Sequence, residues 1–441
     1  MKPSAAPGNA RRPHADSSSA TPAVRASVPV ANIRRGPVDL PLFAVAVLLV
    51  AFGVVMVYSA SAVYAARTHH TAQYYLVRQA MFATFGVLGL GIVSRIDYRL
   101  LRKLTYPMLI ATVLLLFLVV AGMGRSGGGA ARWLRFGPIT LQPAELAKVT
   151  IILWLAHSLS KKHEKIKTFA VGFLPHLLMA GVLMILCLKQ PDFGSAMVLL
   201  FLTFALLFVA GAKTGYILGA VVLALPLAWH LVMGTAYRRR RWEAFIDPWA
   251  HRHDISYQLV ESLISFGSGG TTGLGLGDSR QKLFFLPEAH TDFIGAIVGE
   301  ELGFVGVCCL LLTYGFLVYR GVSIALRAAD DYGTYVAFGI STLFGLQVLI
   351  NLGVAMGLLP TKGLTLPFVS YGGSSLVINL LAVGVLLSIS RGCTPARTLA
   401  HMRRAVGLGR AEHGGTAANR PEPAVADDDG AGLPEAAGSV A

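Results

Sequence analysis

Charge is scarce in this chain of 441 residues: Asp, Glu, Lys and Arg make up 14 % of it, hydrophobic residues 54 %, and the mean hydropathy is +0.61. A soluble globular domain carries roughly a quarter charged residues, so that class is excluded. Cysteine is nearly absent as well. Cys187, Cys308, Cys309 and Cys393 lie in apolar runs or on the side read below as cytoplasmic, without CxxC spacing, which argues against a disulfide framework and a structural zinc site. No HExxH or other metal-ligand spacing occurs, and Ser370 has no His or Lys near it in sequence, so no nucleophile constellation is present. The formal net charge of +15 comes without an aromatic-studded basic groove, so nucleic acid is not an expected partner. Residues 1–36 hold no apolar core, and no cleavable leader is expected ahead of the first span.

What the chain has in abundance is long apolar runs. Stretches near the ~20 residues that cross a bilayer begin around Leu40, Tyr74, Tyr106, Pro143, Ala170, Phe193, Thr214, Phe293, Thr334 and Ser374. They are continuous rather than alternating. The expected fold is therefore all-α, a polytopic bundle of ten transmembrane helices with a large outer loop between the seventh and eighth. Most of the 38 Lys and Arg residues fall in the two tails and in segments near 95–103, 161–167, 213 and 320–327. By the positive-inside rule both termini are cytoplasmic. The tails, rich in Ala, Pro, Gly and charge, are expected to be disordered over 1–36 and 396–441, flanking a membrane domain over 37–395.

Polar chemistry concentrates in residues 257–301, on the outer side. Gly267–Gly277 leads through Arg280 and Lys282 into Pro287-Glu288-Ala289-His290-Thr291-Asp292, where an apolar run begins at once. His290 and Asp292 thus sit at a helix mouth. Small residues at 295, 296, 299, 303 and 306 form a stripe that lets another helix approach closely. Glu300 and Glu301 lie deeper, where at least one needs a partner in the bundle, and Lys148 is a candidate. The glycine segment fits neither GxGxxG nor a Walker pattern. It reads either as an anion cradle with Arg280 and Lys282 or as a merely flexible loop.

Other outer segments add to this inventory. Pro143 suits a helix start, and Glu145 and Lys148 follow on one face where they can pair, either for function or as a packing clamp. Asp192 is placed to cap the next helix. Arg238–Arg241, flanked by Trp242 and Trp249, reads as a segment lying on the membrane surface and facing lipid phosphates. The last outer loop, Gly357–Ser375, is rich in Pro, Gly, Ser and Thr and reads as an ordered re-entrant segment.

One face therefore carries a carboxylate at a helix mouth together with several cations. Cations suit a phosphate-bearing lipid headgroup, and a carboxylate suits general-base activation of a hydroxyl. His290 competes as the base, because its unperturbed pKa lies nearer neutrality. Asp292 needs an apolar mouth to raise its own.

GGAARW with QPAELAK, QPDFGSA, the block from GSGGTTGLGLG through FLPEAHTDF to GEELG, and GLLPTKGLTLPFVSYGGSS together resemble the SEDS family (shape, elongation, division and sporulation). The resemblance runs from the first span to about Arg391. Lys362, in TKGLTLP, is similar to the division-septum branch rather than the elongation branch. The family implies a ten-helix peptidoglycan glycosyltransferase that polymerises lipid II on the outer face of the bacterial cytoplasmic membrane. It implies Asp292 as the catalytic carboxylate; the residues themselves offer Arg280, Lys282, Lys362, His290, Arg132 and Ser370 as candidate substrate-binding residues and Glu145, Lys148 and Glu300 as an intramembrane ionic group. No organic cofactor is implied; a divalent cation is a candidate for meeting the leaving pyrophosphate. The implied partners are a class B penicillin-binding protein acting as septal transpeptidase, other divisome membrane proteins and membrane lipid. Two positions depart from the family pattern. Gly128 and Ala131 stand where Asn and a first Arg are usual, which weakens a substrate role for the Arg132 loop, and Ala144 replaces a Ser without touching Glu145 or Lys148. A lipid II flippase and a non-catalytic division scaffold remain as alternative readings.

Overall fold

The computed structural model describes residues 36–393, apart from 128–129, 138, 163–164 and 284. The expected tails over 1–36 and 396–441 therefore lie outside the described residues, Gly36 excepted. Helices α1 (Leu40–His69), α2 (Tyr74–Arg95) and α3 (Arg99–Leu118) are followed by three short strands, β1 (Arg125–Gly127), β2 (Ala130–Phe136) and β3 (Ile139–Leu141). Then come α4 (Pro143–Lys161), α5 (Leu174–Lys189), α6 (Phe193–Val209) and α7 (Thr214–Met233). The chain ends with α8 (Ala236–Ile246), α9 (Tyr257–Gly269), α10 (Ile294–Arg327), α11 (Asp331–Ala355) and α12 (Gly373–Ser390).

Eight helices among the described residues are long and apolar enough to cross a membrane. The polytopic all-α fold expected from the apolar runs is present. A count of ten requires α6, apolar but only 17 residues long, and the 19-residue α4, which carries Glu145, Lys148, His157 and Ser158, to cross as well. Two features are additions to the expectation. The strands form an antiparallel sheet in the order β1-β2-β3, and the large outer loop contains the helices α8 and α9.

Burial separates the helices sharply. Nearly every residue of α4 from Pro143 to Leu159 is buried, and α11 is buried over most of its length. By contrast, α7 has no buried residue and presents Leu218, Val222, Leu223, Leu225, Leu227 and Trp229 outward. Lipid tails are as apolar as these side chains, so helices in a membrane associate through close packing at small residues rather than through hydrophobic burial. Gly339 of α11 shows the device: a Cβ there would lie 2.5 Å from the Ile152 side chain of α4. The stripe on α10 works the same way, with Gly295 beneath Leu352 of α11 and Gly299 beneath Phe266 of α9.

Helix α10 breaks at Gly303 (φ 66°, ψ −165°). The break frees the carbonyls of Glu300 and Glu301, which accept hydrogen bonds from the N–H groups of Leu274 and Gly275, each at 3.0 Å. In return Phe304 and Val305 donate to the carbonyls of Gly270 (2.9 Å) and Thr271 (3.1 Å). An unpaired backbone group at this depth costs several kcal/mol, so the glycine segment is a backbone clasp on a broken helix. This clasp is a role the sequence reading did not include. Gly273 (φ 84°) is obligatory, because a Cβ would stand 2.1 Å from the Glu301 carbonyl oxygen.

At the far end of the bundle, Arg320 pairs with Asp39 (2.5 Å) and Arg99 with Asp330 (3.1 Å), tying α10 to the start of α1 and α3 to the α10–α11 turn. The last outer loop enters the protein: Leu364, Leu366, Phe368, Val369 and Ser370 are buried, and the Phe368 carbonyl lies against Gly53 of α1. This is the ordered, protein-buried segment expected there.

Candidate active site

The turn before α10 is closed on itself. Glu288 adopts a left-handed conformation (φ 56°), and its carbonyl accepts from the N–H groups of Thr291 (3.1 Å) and Phe293 (3.3 Å). Its carboxylate accepts from the Thr291 hydroxyl at 2.6 Å. Asn351 of α11 then donates both to the Asp292 carbonyl (2.9 Å) and to the Leu364 carbonyl (2.6 Å). A single buried amide thereby fastens the helix mouth to the last outer loop. The Asp292 carboxylate rests against Gly363, where a Cβ would come within 2.8 Å of Oδ2.

Burial, then the nearby Glu288 charge, push the Asp292 carboxyl up to about 7, against the opposing pull of Arg132 and Arg241. Among the described residues no hydrogen bond to the carboxylate holds the charged form down. Lys362 is its counterpart. Burial, then Arg241, push this lysine down to about 7. Its ammonium sits 3.8 Å from the Phe193 ring centroid, with Arg238 at 6.0 Å from the same ring. Arg241 donates to the Thr361 carbonyl (3.1 Å), and Arg132 to the Pro191 carbonyl (2.7 Å). Asp192 caps α6 through Ser195 N–H (3.1 Å) and Oγ (2.7 Å), as its position in the sequence implied, and its charge also acts on both Asp292 and Lys362.

The fold thus gathers Asp292, Lys362 and Arg132 from the site residues expected and adds Arg238, Arg241 and Asp192. The arginine run is not simply a lipid-facing surface segment. Its one legible signal was four successive arginines on the outer side, against the positive-inside trend.

Other expected residues go elsewhere. Lys282 pairs with Glu301 at 3.1 Å, with Ser59 donating to the same carboxylate at 2.6 Å, so its charge is neutralised inside the bundle. Arg280 is exposed, and its N–H donates to Glu300 (3.0 Å). Ser370 is buried, its hydroxyl accepting from Leu366 N–H at 2.8 Å. Lys148 reaches neither Glu300 nor Glu301, contrary to expectation; it is fully buried on Glu145 at 2.7 Å, where Ser375 of α12 also donates (3.3 Å). Glu300 stands apart from that pair and accepts from the Ser279 hydroxyl and the Arg280 and Gln281 N–H groups. His290 stacks among Tyr75 (4.6 Å), Tyr64 and Tyr371 (both 5.8 Å), where burial pushes its pKa down. Among the described residues no three His, Cys, Asp or Glu side chains gather as a metal-binding set. The charges that act on Asp292 are mixed, Glu288 and Asp192 on one hand and Arg132 and Arg241 on the other.

A bundle of long apolar helices, with a buried carboxyl at the mouth of one of them and arginines and a lysine nearby, defines a polytopic all-α membrane protein. Residues 39–394 match the model of the FtsW/RodA/SpoVE family, described as cell cycle protein. The chain is 49 % identical over 353 residues to the probable peptidoglycan glycosyltransferase FtsW of Geobacter metallireducens, covering 80 % of this chain and 94 % of that protein. It is 41 % identical over 356 residues to stage V sporulation protein E of Bacillus subtilis, covering 80 % and 97 %. A chain of a peptidoglycan synthase complex, solved for its coordination of polymerization and crosslinking, matches with a TM-score of 0.68 at 32 % identity, covering 80 % of this chain and 98 % of that one. The rod shape determining protein RodA of Thermus thermophilus matches with a TM-score of 0.58, also at 32 % identity, covering 80 % and 97 %. The chain belongs to the FtsW/RodA/SpoVE family, as its motifs implied.

Proposed function

We propose that this chain is a peptidoglycan glycosyltransferase that polymerises lipid II at the division septum. The observation that carries the reading is the state of Asp292: a carboxyl pushed up to about 7 within reach of the charges of Arg132 and Arg241, which also act on Lys362. A base with that pKa is matched to neutral pH. Asp292 accepts the proton of the acceptor's 4-hydroxyl as the hydroxyl oxygen attacks the anomeric carbon of the donor. The bond from that carbon to the undecaprenyl pyrophosphate breaks with inversion, and Lys362, Arg132 and Arg241 stabilise the charge that develops on the departing group. Arg280, Lys282 and Ser370 have no part in this step, and no metal ion is drawn into it. The Glu145–Lys148 pair serves as an intramembrane clamp.

The relatives that bear the FtsW name support the septal assignment, and the synthase complex that couples polymerization to crosslinking supports a class B penicillin-binding protein as partner. In this reading α4 and α6 cross the membrane to make ten spans, both termini are cytoplasmic, and the Asp292 face is outermost. Replacing Asp292 by Asn tests the core of it. With purified lipid II and the transpeptidase partner, polymerisation falls at least about 100-fold while the melting temperature holds. Undiminished glycan chains would sink the role given to Asp292. Normal polymerisation combined with loss of lipid II translocation in reconstituted vesicles would favour the flippase instead.

A further inference from the structure

The turn that carries Asp292 separates two unlike environments. On one side stand the cations already described. On the other lies a cavity of about 280 Å³, lined by Ala60 and Tyr64 of α1 and by Lys282, Leu286, Pro287, Glu288, Ala289 and His290. Alternate residues of the turn serve the two sides, since His290 faces the cavity while Asp292 rests on Gly363.

The cavity differs from the cationic side in charge and in surface. Lys282 is matched by Glu301 beneath it, and burial pushes the His290 ring toward its neutral form, so among the described residues that line the cavity Glu288, its carboxylate hydrogen-bonded only by the Thr291 hydroxyl, is the charge without an ionic partner. A pyrophosphate beside that carboxylate would be repelled, whereas the Arg132, Arg238, Arg241 and Lys362 side attracts it. Tyr64 lines the wall with its ring stacked on that of His290, which Tyr75 and Tyr371 back in turn. Aromatic faces against the C–H face of a pyranose, with Glu288 and Lys282 placed for hydroxyl and acetamide groups, make a surface for an uncharged amino sugar.

We propose that this cavity is the acceptor subsite: it holds the terminal N-acetylated sugar whose 4-hydroxyl meets Asp292, while the donor's pyrophosphate occupies the arginine and Lys362 side. The assignment rests on the glycosyltransferase reading above and adds an orientation to it. The growing strand and the incoming unit then approach Asp292 from opposite sides of one turn, and the proton, the new C–O bond and the leaving group each have a separate place.

The test separates the two substrates chemically. A lipid II whose terminal 4-hydroxyl is capped by galactose can act only as donor, and a lipid II phosphonate with carbon in place of the anomeric oxygen can act only as acceptor. Their single transfer product is measured with the full chain in complex with its transpeptidase partner. Tyr64→Leu is expected to raise KM for the acceptor about tenfold and leave KM for the donor unchanged, with Tyr64→Phe close to the parent. Ala60→Met, which fills the cavity from α1, is expected to do the same and serves if the Tyr64 variant does not fold. Lys362→Gln is expected to raise KM for the donor alone. Product formation with an unchanged acceptor KM in both cavity variants, or a change confined to the donor, overturns the subsite. A parent protein that makes no product from this pair overturns the glycosyltransferase reading, and the subsite with it.

Discussion

Glu145, Glu300, Glu301 and Asp292 are all carboxylates held in or at the mouth of an apolar bundle, yet the fold treats the first three and the last in opposite ways. Glu145 has Lys148 and Ser375; Glu300 has a hydroxyl and two backbone N–H groups; Glu301 has Lys282 and Ser59. Asp292 is left to burial and to charges acting over distance. Burying a charge is expensive unless it is paired and hydrogen-bonded. The three ion-paired or hydrogen-bonded carboxylates therefore hold helices together, although the second oxygen of Glu301 has no partner among the described residues, and Asp292, whose carboxyl burial pushes up, retains the capacity to take a proton.

That contrast can be broken or sharpened experimentally. Lys148→Met leaves Glu145 buried without its partner and is expected to destabilise the protein by about 3–5 kcal/mol, seen as a lower melting temperature in detergent. The double variant with Glu145→Gln is expected to recover most of it. If the single variant melts normally but cannot polymerise, the pair belongs to the chemistry and the contrast fails.

Gly273→Ala is expected to cost about 2 kcal/mol, because the new Cβ collides with the Glu301 carbonyl and the backbone sits at positive φ. Thermal melting reads this too. Full stability would mean that the clasp on the α10 break is slack.

The pH profile tests the reactive side. Asp292 works ionised, so the rate rises as pH climbs through about 7; Lys362 works protonated, so the rate falls as pH climbs through about 7. The pair gives a narrow bell near neutrality. Lys362→Arg, always charged, is expected to remove the alkaline limb, keep the acid limb and change the maximum less than about tenfold. A rate that is flat across neutrality would contradict the environment assigned to both groups.

The smallest effect is expected from Arg239→Ala on α8. The Arg239–Glu243 pair, at 3.5 Å, is 57 % and 53 % exposed, so its loss should change stability by less than about 1 kcal/mol. Within the same arginine run, Arg241, which turns inward to Thr361, should matter more.

Much of this was legible beforehand. The apolar runs announced the membrane bundle, Asp192 its capping role and Pro143 the start of α4, because each depends on composition or on residues three or four apart. The PEAHTDF motif marked the turn on which the proposed chemistry rests. The Glu145–Lys148 pair was legible from its i,i+3 spacing, and the structure bears it out at 2.7 Å. The pairing of Lys282 with Glu301 was not legible, because those residues meet only when the chain folds. The clasp made by the glycine segment was not legible either: nothing in its composition reveals that a helix elsewhere is broken and offers it free carbonyls.

By itself, then, the sequence determined what the chain is made of: apolar helices, the placement of their charges and a carboxylate at a helix mouth. Local spacing and transfer energies set those features without reference to any distant residue. Only the tertiary structure decided which charges are neutralised and which remain reactive. Arg132, Asp192, Arg241, Asp292 and Lys362 come from five separate segments, and the surroundings on which the behaviour of Asp292 depends exist only once those segments meet.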